Sequence, residues 1–386
     1  MSKAANAILL ALGPLLLAGV GRQAAAESNA VMFRGNPQHT GVYDTKGVGE
    51  NPKIKWKFKT GRLNRSTPAV AEGAVYVGSH DGNLYALDAE TGKLRWKFPT
   101  GGEMTSSPAV AGGTVYFTGG DEYFYALDAK DGRKKWVLQA GEKHPAEVIW
   151  DYFQSSPAVV EGVLYVGSAD ANIYAIEAKT GKVLWKFKTQ GRVRSSPAVA
   201  DGTVFCGGMD GIFYALDAKS GTLKWKFDTP GNQYFPLGEI QSTPAVAGGV
   251  VYFGSRDGHL YALNAQSGEK KWAFDHEGSW VISGPGVADG MVYVGSSDGH
   301  FVQAVDAATG KETWRYDAHG RVFSSPAIVG GCVYIGWAET AVVWADAKTG
   351  KLLGGVGCEG PVWSSPVVAD GVLYFTSDDG YIYAVE

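Results

Sequence analysis

The chain has 386 residues, 45% of them hydrophobic and 12% aromatic, with 35 basic and 39 acidic side chains and a net charge of −4. That balance excludes nucleic-acid binding through a general basic footprint. The three cysteines, an odd and widely spaced set, exclude a disulfide framework, so stability has to come from packing.

In chain order, Lys3, the apolar run Ala7 to Val20 and the small residues Ala24-Ala25-Ala26 read as a secretory signal over residues 1–26. Cleavage near Ala26 predicts a periplasmic or secreted chain. The apolar run is short for a membrane anchor, and no later stretch could cross a bilayer as a helix. No cysteine lies near the cleavage point, so no lipid anchor is expected. Residues 27–52 form a lead-in segment, and residues 53–386 a repeat array.

The array repeats about every 40 residues, the signature of a repeat architecture. Within a unit such as Ser107 to Leu138, short runs rich in β-branched and aromatic residues alternate with Gly and Asp clusters, which predicts four strands and no helix. Asp81-Gly82, Asp210-Gly211, Asp257-Gly258 and Asp298-Gly299 suit tight turns between strands two and three. The fourth strand carries Trp56, Trp96, Trp136, Trp185, Trp225, Trp272 or Trp314, and Gly354 fills the eighth slot. These indoles are read as structural, joining neighbouring units. Asp88, Asp128, Asp217, Asp306 and Asp346 are read as turn carboxylates rather than catalytic ones.

Pro68, Pro108, Pro157, Pro197, Pro244, Pro285, Pro326 and Pro366 open eight units. The last unit lacks its fourth strand, whereas Lys53 to Thr60, with Trp56, is a fourth strand with no unit before it. The predicted fold is therefore all-β: an eight-bladed β-propeller of four-stranded antiparallel blades, closed by the N-terminal strand pairing into the last blade. Ring closure removes exposed sheet ends.

Departures from the repeat are the candidate sites. Two links between blades are long: Gly141 to Phe153, with His144, Glu147, Trp150, Asp151 and Tyr152, and Pro230 to Ile240, with Asn232, Gln233, Tyr234 and Glu239. Both fall on the face that carries the Asp-Gly turns. The residue before each Ser-x-Pro-type step also varies around the ring: Arg65, Thr105, Gln154, Arg194, Gln241, Ile282, Phe323 and Trp363. Facing the axis, this column would form an amphipathic funnel, with Arg192 and Arg321 nearby. Its arginines would clamp an anionic or peptide-like ligand. Arg65, Gln154, Arg194, Gln241, Trp363, His144, Trp150, Asp151 and Tyr234 are the predicted ligand- or partner-binding residues. His259 and His300 follow turns in successive blades, but two histidines alone do not make a metal site. No catalytic set is assigned, because no serine has a persuasive His and Asp partner pair.

The run Ala86-Leu87-Asp88-Ala89-Glu90-Thr91-Gly92-Lys93-Leu94-Arg95-Trp96 resembles the tryptophan-docking motif of the PQQ-like (quinoprotein) propeller repeats. Met32 to Gly41 resembles the lead-in of PQQ-binding-like repeat proteins. The resemblance implies one of two branches. One is the non-enzymatic scaffolds of outer-membrane protein assembly, the BamB-like propellers. The other is the PQQ-dependent alcohol dehydrogenases, with the quinone on the axis beside Ca²⁺. The dehydrogenases are usually much longer, and many have adjacent cysteines, which this chain lacks; their calcium ligand set has no clear counterpart here. The expectation is a monomeric binding propeller without a cofactor, with an envelope protein or peptide-like ligand on the insertion-bearing face. PQQ with calcium is expected only under the alternative branch.

Overall fold

The computed structural model describes residues 31–49, 51–140, 154–338 and 340–386. Its strands form eight four-stranded antiparallel sheets, arranged as a ring of blades. Blade 1 comprises Ala69–Ala71, Ala74–Gly78, Asn83–Asp88 and Leu94–Pro99. Blades 2 to 7 repeat this order, starting from Ala109–Ala111, Ala158–Val160, Ala198–Ala200, Ala245–Ala247, Gly286–Ala288 and Ala327–Val329. Blade 8 takes three strands from the C-terminal end, Val367–Ala369, Val372–Thr376 and Tyr381–Val385, and its fourth, Ile54–Lys59, from the N-terminal side. The predicted closure is therefore observed. Lys53 and Glu386 exchange both backbone hydrogen bonds, at 2.8 and 2.9 Å.

Burial follows from position in the blade. The second strand of blade 1, Ala74–Gly78, is buried at every residue, while the outer strand Leu94–Pro99 alternates half-buried with exposed. The first strands of neighbouring blades touch around the axis. In every blade a bulge precedes the tryptophan slot, as where Ala86 pairs with Trp96 but Leu87 with Leu94. The extra residue turns the strand locally and re-aims the indole. Each indole then reaches the next blade: Trp56 Nε1 donates to Ala89 O at 2.9 Å, and Trp96, Trp136, Trp185, Trp225, Trp272 and Trp314 make the same bond at 2.8–3.0 Å. The ring lies flat on the turn glycine. A Cβ on Gly92 would stand 2.6 Å from Trp56 Cδ2, and Gly92 has φ +69°, so glycine is required there on two counts.

Blade 7 breaks this rule for a physical reason. A tryptophan at position 354 would dock on the turn between strands three and four of blade 8. That turn does not exist, because those strands come from opposite ends of the array. Instead Trp344, one strand inward, swings over Gly354; a Cβ there would stand 2.6 Å from Trp344 Cζ2. Trp344 is buried and stacks on Tyr334 at 5.4 Å. The junction that the sequence leaves empty is filled by an indole from the paired position.

Candidate functional site

The column before the Ser-x-Pro-type step does face the axis. Arg65, Thr105, Gln154, Arg194, Gln241, Ile282, Phe323 and Trp363 all line one axial cavity. A second tier lies beneath them, made by Thr67, Ser107, Ser156, Ser196, Thr243, Gly284, Ser325 and Ser365. These residues are stitched blade to blade by backbone N–H groups donating to hydroxyls. Thr67 N donates to Ser107 Oγ at 3.1 Å, Ser107 N to Ser156 Oγ at 2.9 Å, and Ser365 N closes the circle on Thr67 Oγ1 at 2.9 Å. The hydroxyls of the repeated step are thus ring-closing acceptors.

The floor is Phe33, from the lead-in segment. Residues 31–43 run across the inner edges of the blades. The carbonyls of Val31, Pro37, Gln38, Thr40 and Gly41 accept the N–H groups of Val110, Val199, Val246, Val287 and Ile328, at 2.7–2.8 Å. Those inner-strand groups would otherwise be unpaired close to the axis. Arg34 is buried in this plug and donates to Pro326 O and Pro285 O, both at 2.6 Å. His39 is fully buried, and among the described residues neither ring nitrogen has a hydrogen-bond partner. Burial, with the Arg34 charge adding to it, pushes its pKa down to about 3, so it is neutral. Spacing alone did not reveal this plug, because its contacts are made by backbone carbonyls.

The arginines are engaged from within. Arg65 contacts Asp378 through Nε at 3.1 Å and Nη2 at 2.8 Å, and its guanidinium lies 4.8 Å from the Trp363 ring centroid. Trp363 stacks on Phe323 at 4.4 Å. Arg194 faces Glu122 at 3.3 Å. Arg256 donates to Glu239 Oε2 at 2.6 Å and to Gln241 Oε1 at 2.7 Å. Nearby, His80 meets Glu103 at 3.2 Å, and burial followed by the Arg65 charge holds its pKa below the usual imidazole range. The carboxylate-clamp expectation for Arg65 and Arg194 thus meets two arginines that already hold carboxylates of the protein. Asp378, His80 and Arg256 occupy the position before the recurring turn Asp of the repeat. Sequence reading passed over this second variable column because it lies inside a turn that looked purely structural.

The cavity is narrow, about 50 Å³, room for a few waters. Its described lining contains no carboxylate. Calcium needs several oxygen ligands, carboxylates prominent among them. The described lining therefore supplies no carboxylate for a calcium ion beside a quinone. Among the described residues no three His, Cys, Asp or Glu side chains converge on a possible metal position. His259 instead meets Asp257 at 3.3 Å, which raises its pKa.

His144, Trp150 and Asp151 lie outside the described residues. The second insertion is well built. Asn232 Oδ1 accepts from Tyr234 N and Phe235 N, at 2.9 and 2.7 Å, and Thr229 Oγ1 lies 2.9 Å from Gly238 O. Phe235 packs edge-on against Trp280 at 4.7 Å, with the Arg256 guanidinium 5.3 Å from the Trp280 ring centroid. This anchored loop presents Tyr234, 77% exposed, and Leu237, 59% exposed.

Comparison with known proteins gives a consistent picture. Residues 153–386 match the family model described as the β-propeller of the beta-alanine-activating enzyme. Residues 49–151 match the model described as outer membrane protein assembly factor BamB. No curated protein matches the chain. Among solved structures, BamB from Moraxella catarrhalis aligns with TM-score 0.73 and 19% identity, over 87% of this chain and all of that one. A europium-containing methanol dehydrogenase aligns with TM-score 0.78 and 14% identity, over 94% and 98% of the two chains. Quinohemoprotein alcohol dehydrogenase from Comamonas testosteroni aligns with TM-score 0.78 and 15% identity, over 92% and 80%. At these identities the likeness is one of fold.

Proposed function

The chain belongs to the PQQ-like β-propeller family, and from that premise we propose that it is an exported, non-enzymatic binding scaffold whose partner docks on the face bearing the long links. The observation that carries this reading is the braced loop Pro230 to Ile240. It holds two large apolar side chains, Tyr234 and Leu237, in solvent on a base fixed by Arg256, Glu239 and Trp280. Aromatic anchors on a rigid support are typical binding hot spots. Arg65, Gln154, Arg194, Gln241 and Trp363 line the axial cavity and belong to the proposed binding set, together with His144, Trp150 and Asp151 of the sequence 141–153. The partner is an envelope protein or an extended, peptide-like part of one. The N-terminal secretory pattern supports export, and the likeness to BamB supports a place in outer-membrane protein assembly. The reading takes no cofactor; its support is that Arg65 and Arg194 already hold carboxylates of the protein and that the described cavity lining carries no carboxylate for calcium.

The test is affinity capture from a detergent-solubilised envelope fraction. The bait is the tagged chain, compared with a Tyr234→Ala/Leu237→Asp variant of unchanged thermal stability. Specific envelope proteins retained by the parent and lost by the variant support the reading. Equal capture by both, or none by either, overturns it. A stoichiometric quinone absorbance after addition of PQQ and Ca²⁺, with dye-linked alcohol oxidation, overturns it in favour of an oxidoreductase.

A further inference from the structure

The eight outer strands differ in one respect that bears on association. An outer strand is a sheet edge, and its unpaired backbone groups can template another strand unless charge, proline or a bulge protects them. Seven edges here are charged: IKWKFK, LRWKFP, KKWVLQ, VLWKFK, LKWKFD, KKWAFD and ETWRYD. The eighth, Leu352–Gly357 of blade 7, reads LLGGVG and carries no charge. Among the described residues it ends its sheet and pairs only with the strand Ala341–Asp346. Leu352 and Leu353 are 42% and 51% exposed. Gly354, Gly355 and Gly357 have no side chain to hold a neighbouring backbone away, and none has a positive φ, so beyond the bulge at Leu353 the edge from Gly354 to Gly357 is regular extended strand.

We propose that this edge pairs with the same edge of a second copy, joining two blade-7 sheets antiparallel across a two-fold axis. Charge selects the occupant. Self-pairing of the Lys-rich edges would set lysine against lysine, which is unfavourable across a strand pair. LLGGVG against LLGGVG brings together only apolar side chains and backbone. A two-fold contact is self-complementary by construction, so the strand supplies both halves. The bare edge coincides with the missing docking turn: Gly354 stands in the tryptophan slot where blade 8 has no turn between its third and fourth strands, and the strand around it has no lysine. One strand pair of this length buries less than the roughly 1,200 Å² of a stable complex. The association is therefore weak and concentration-dependent, and it leaves the insertion-bearing face free.

Sedimentation velocity on the full chain from about 1 to 500 µM tests the proposal. The expected result is a dimer that grows with concentration. Leu353→Lys and, separately, Gly355→Lys should weaken it at least tenfold. Leu94→Lys, at the matching exposed rim of blade 1, should leave it unchanged. Thermal unfolding of each variant separates edge effects from folding effects. A chain that stays monomeric throughout overturns the proposal. A dimer indifferent to both lysines overturns it as well.

Discussion

Ring closure by a strand from the far end of the array makes Trp56 a sensitive probe. Its indole is 8% exposed, donates to Ala89 O at 2.9 Å, lies flat on Gly92 and tilts against Tyr374 at 6.0 Å. Trp56→Ala removes roughly 150–250 Å² of aromatic surface from the interior, and large-to-small changes of this kind cost about 3–5 kcal/mol. The unfolding entropy of some 350 ordered residues is about 0.7 kcal/mol per kelvin, so a 4 kcal/mol loss lowers Tm by about 5 °C. Trp56→Phe keeps most of the ring and loses the N–H bond, for about 1–2 kcal/mol. Trp185 is only half-buried, so Trp185→Ala should cost less than Trp56→Ala. Urea and thermal unfolding followed by far-UV circular dichroism measure all three. If Trp56→Ala lies within about 1 kcal/mol of the parent, the closing strand is not held by its indole and the account of the blade junctions fails.

Two further predictions follow from the blade-7 junction and from the buried histidines. Restoring the repeat by Gly354→Trp should destabilise by about 1–3 kcal/mol through overpacking against Trp344. Adding Trp344→Ala should not recover the parent stability, because no turn waits to receive the new indole; full recovery in urea unfolding would refute this. The pKa values of His39 and His276 are each pushed down to about 3, burial being the main cause. The unfolded chain takes up protons near pH 6.5 that the folded chain refuses. Each histidine therefore subtracts up to about 1.4 kcal/mol per pH unit as pH falls from 6.5 toward 3. The urea midpoint should drop between pH 7.5 and 5, and His39→Asn should flatten the slope. A midpoint constant over that range would contradict the burial of neutral imidazoles.

The fold was legible because each level of the chain repeats it. Strand-length runs, turn glycines and tryptophan spacing agree in nearly every unit, and the unmatched strand around Trp56 could only belong to the unit that lacked one. The axial direction of the Arg65-to-Trp363 column was legible too, since variation within an otherwise constant repeat marks positions released from blade packing. What could not be read was how those side chains answer one another. Asp378 and Glu122 neutralise Arg65 and Arg194 across distances of sequence that no local pattern encodes. The plug at residues 31–43 acts through carbonyl groups, which leave almost no trace in residue identity. The replacement of one indole by Trp344 appears only when the paired strands are set side by side.

The pairing of Ile54–Lys59 with Tyr381–Val385 also sets a timetable for synthesis. The first strand of the ring leaves the ribosome about 320 residues before its partner, a wait of roughly 15–65 s at ordinary elongation rates. Throughout that interval a strand with Ile54, Trp56 and Phe58 on it has no sheet to join. Lys55, Lys57 and Lys59 alternate with those apolar side chains. Their charge serves the growing chain as much as the finished one, keeping the waiting strand soluble until the last blade arrives to receive it.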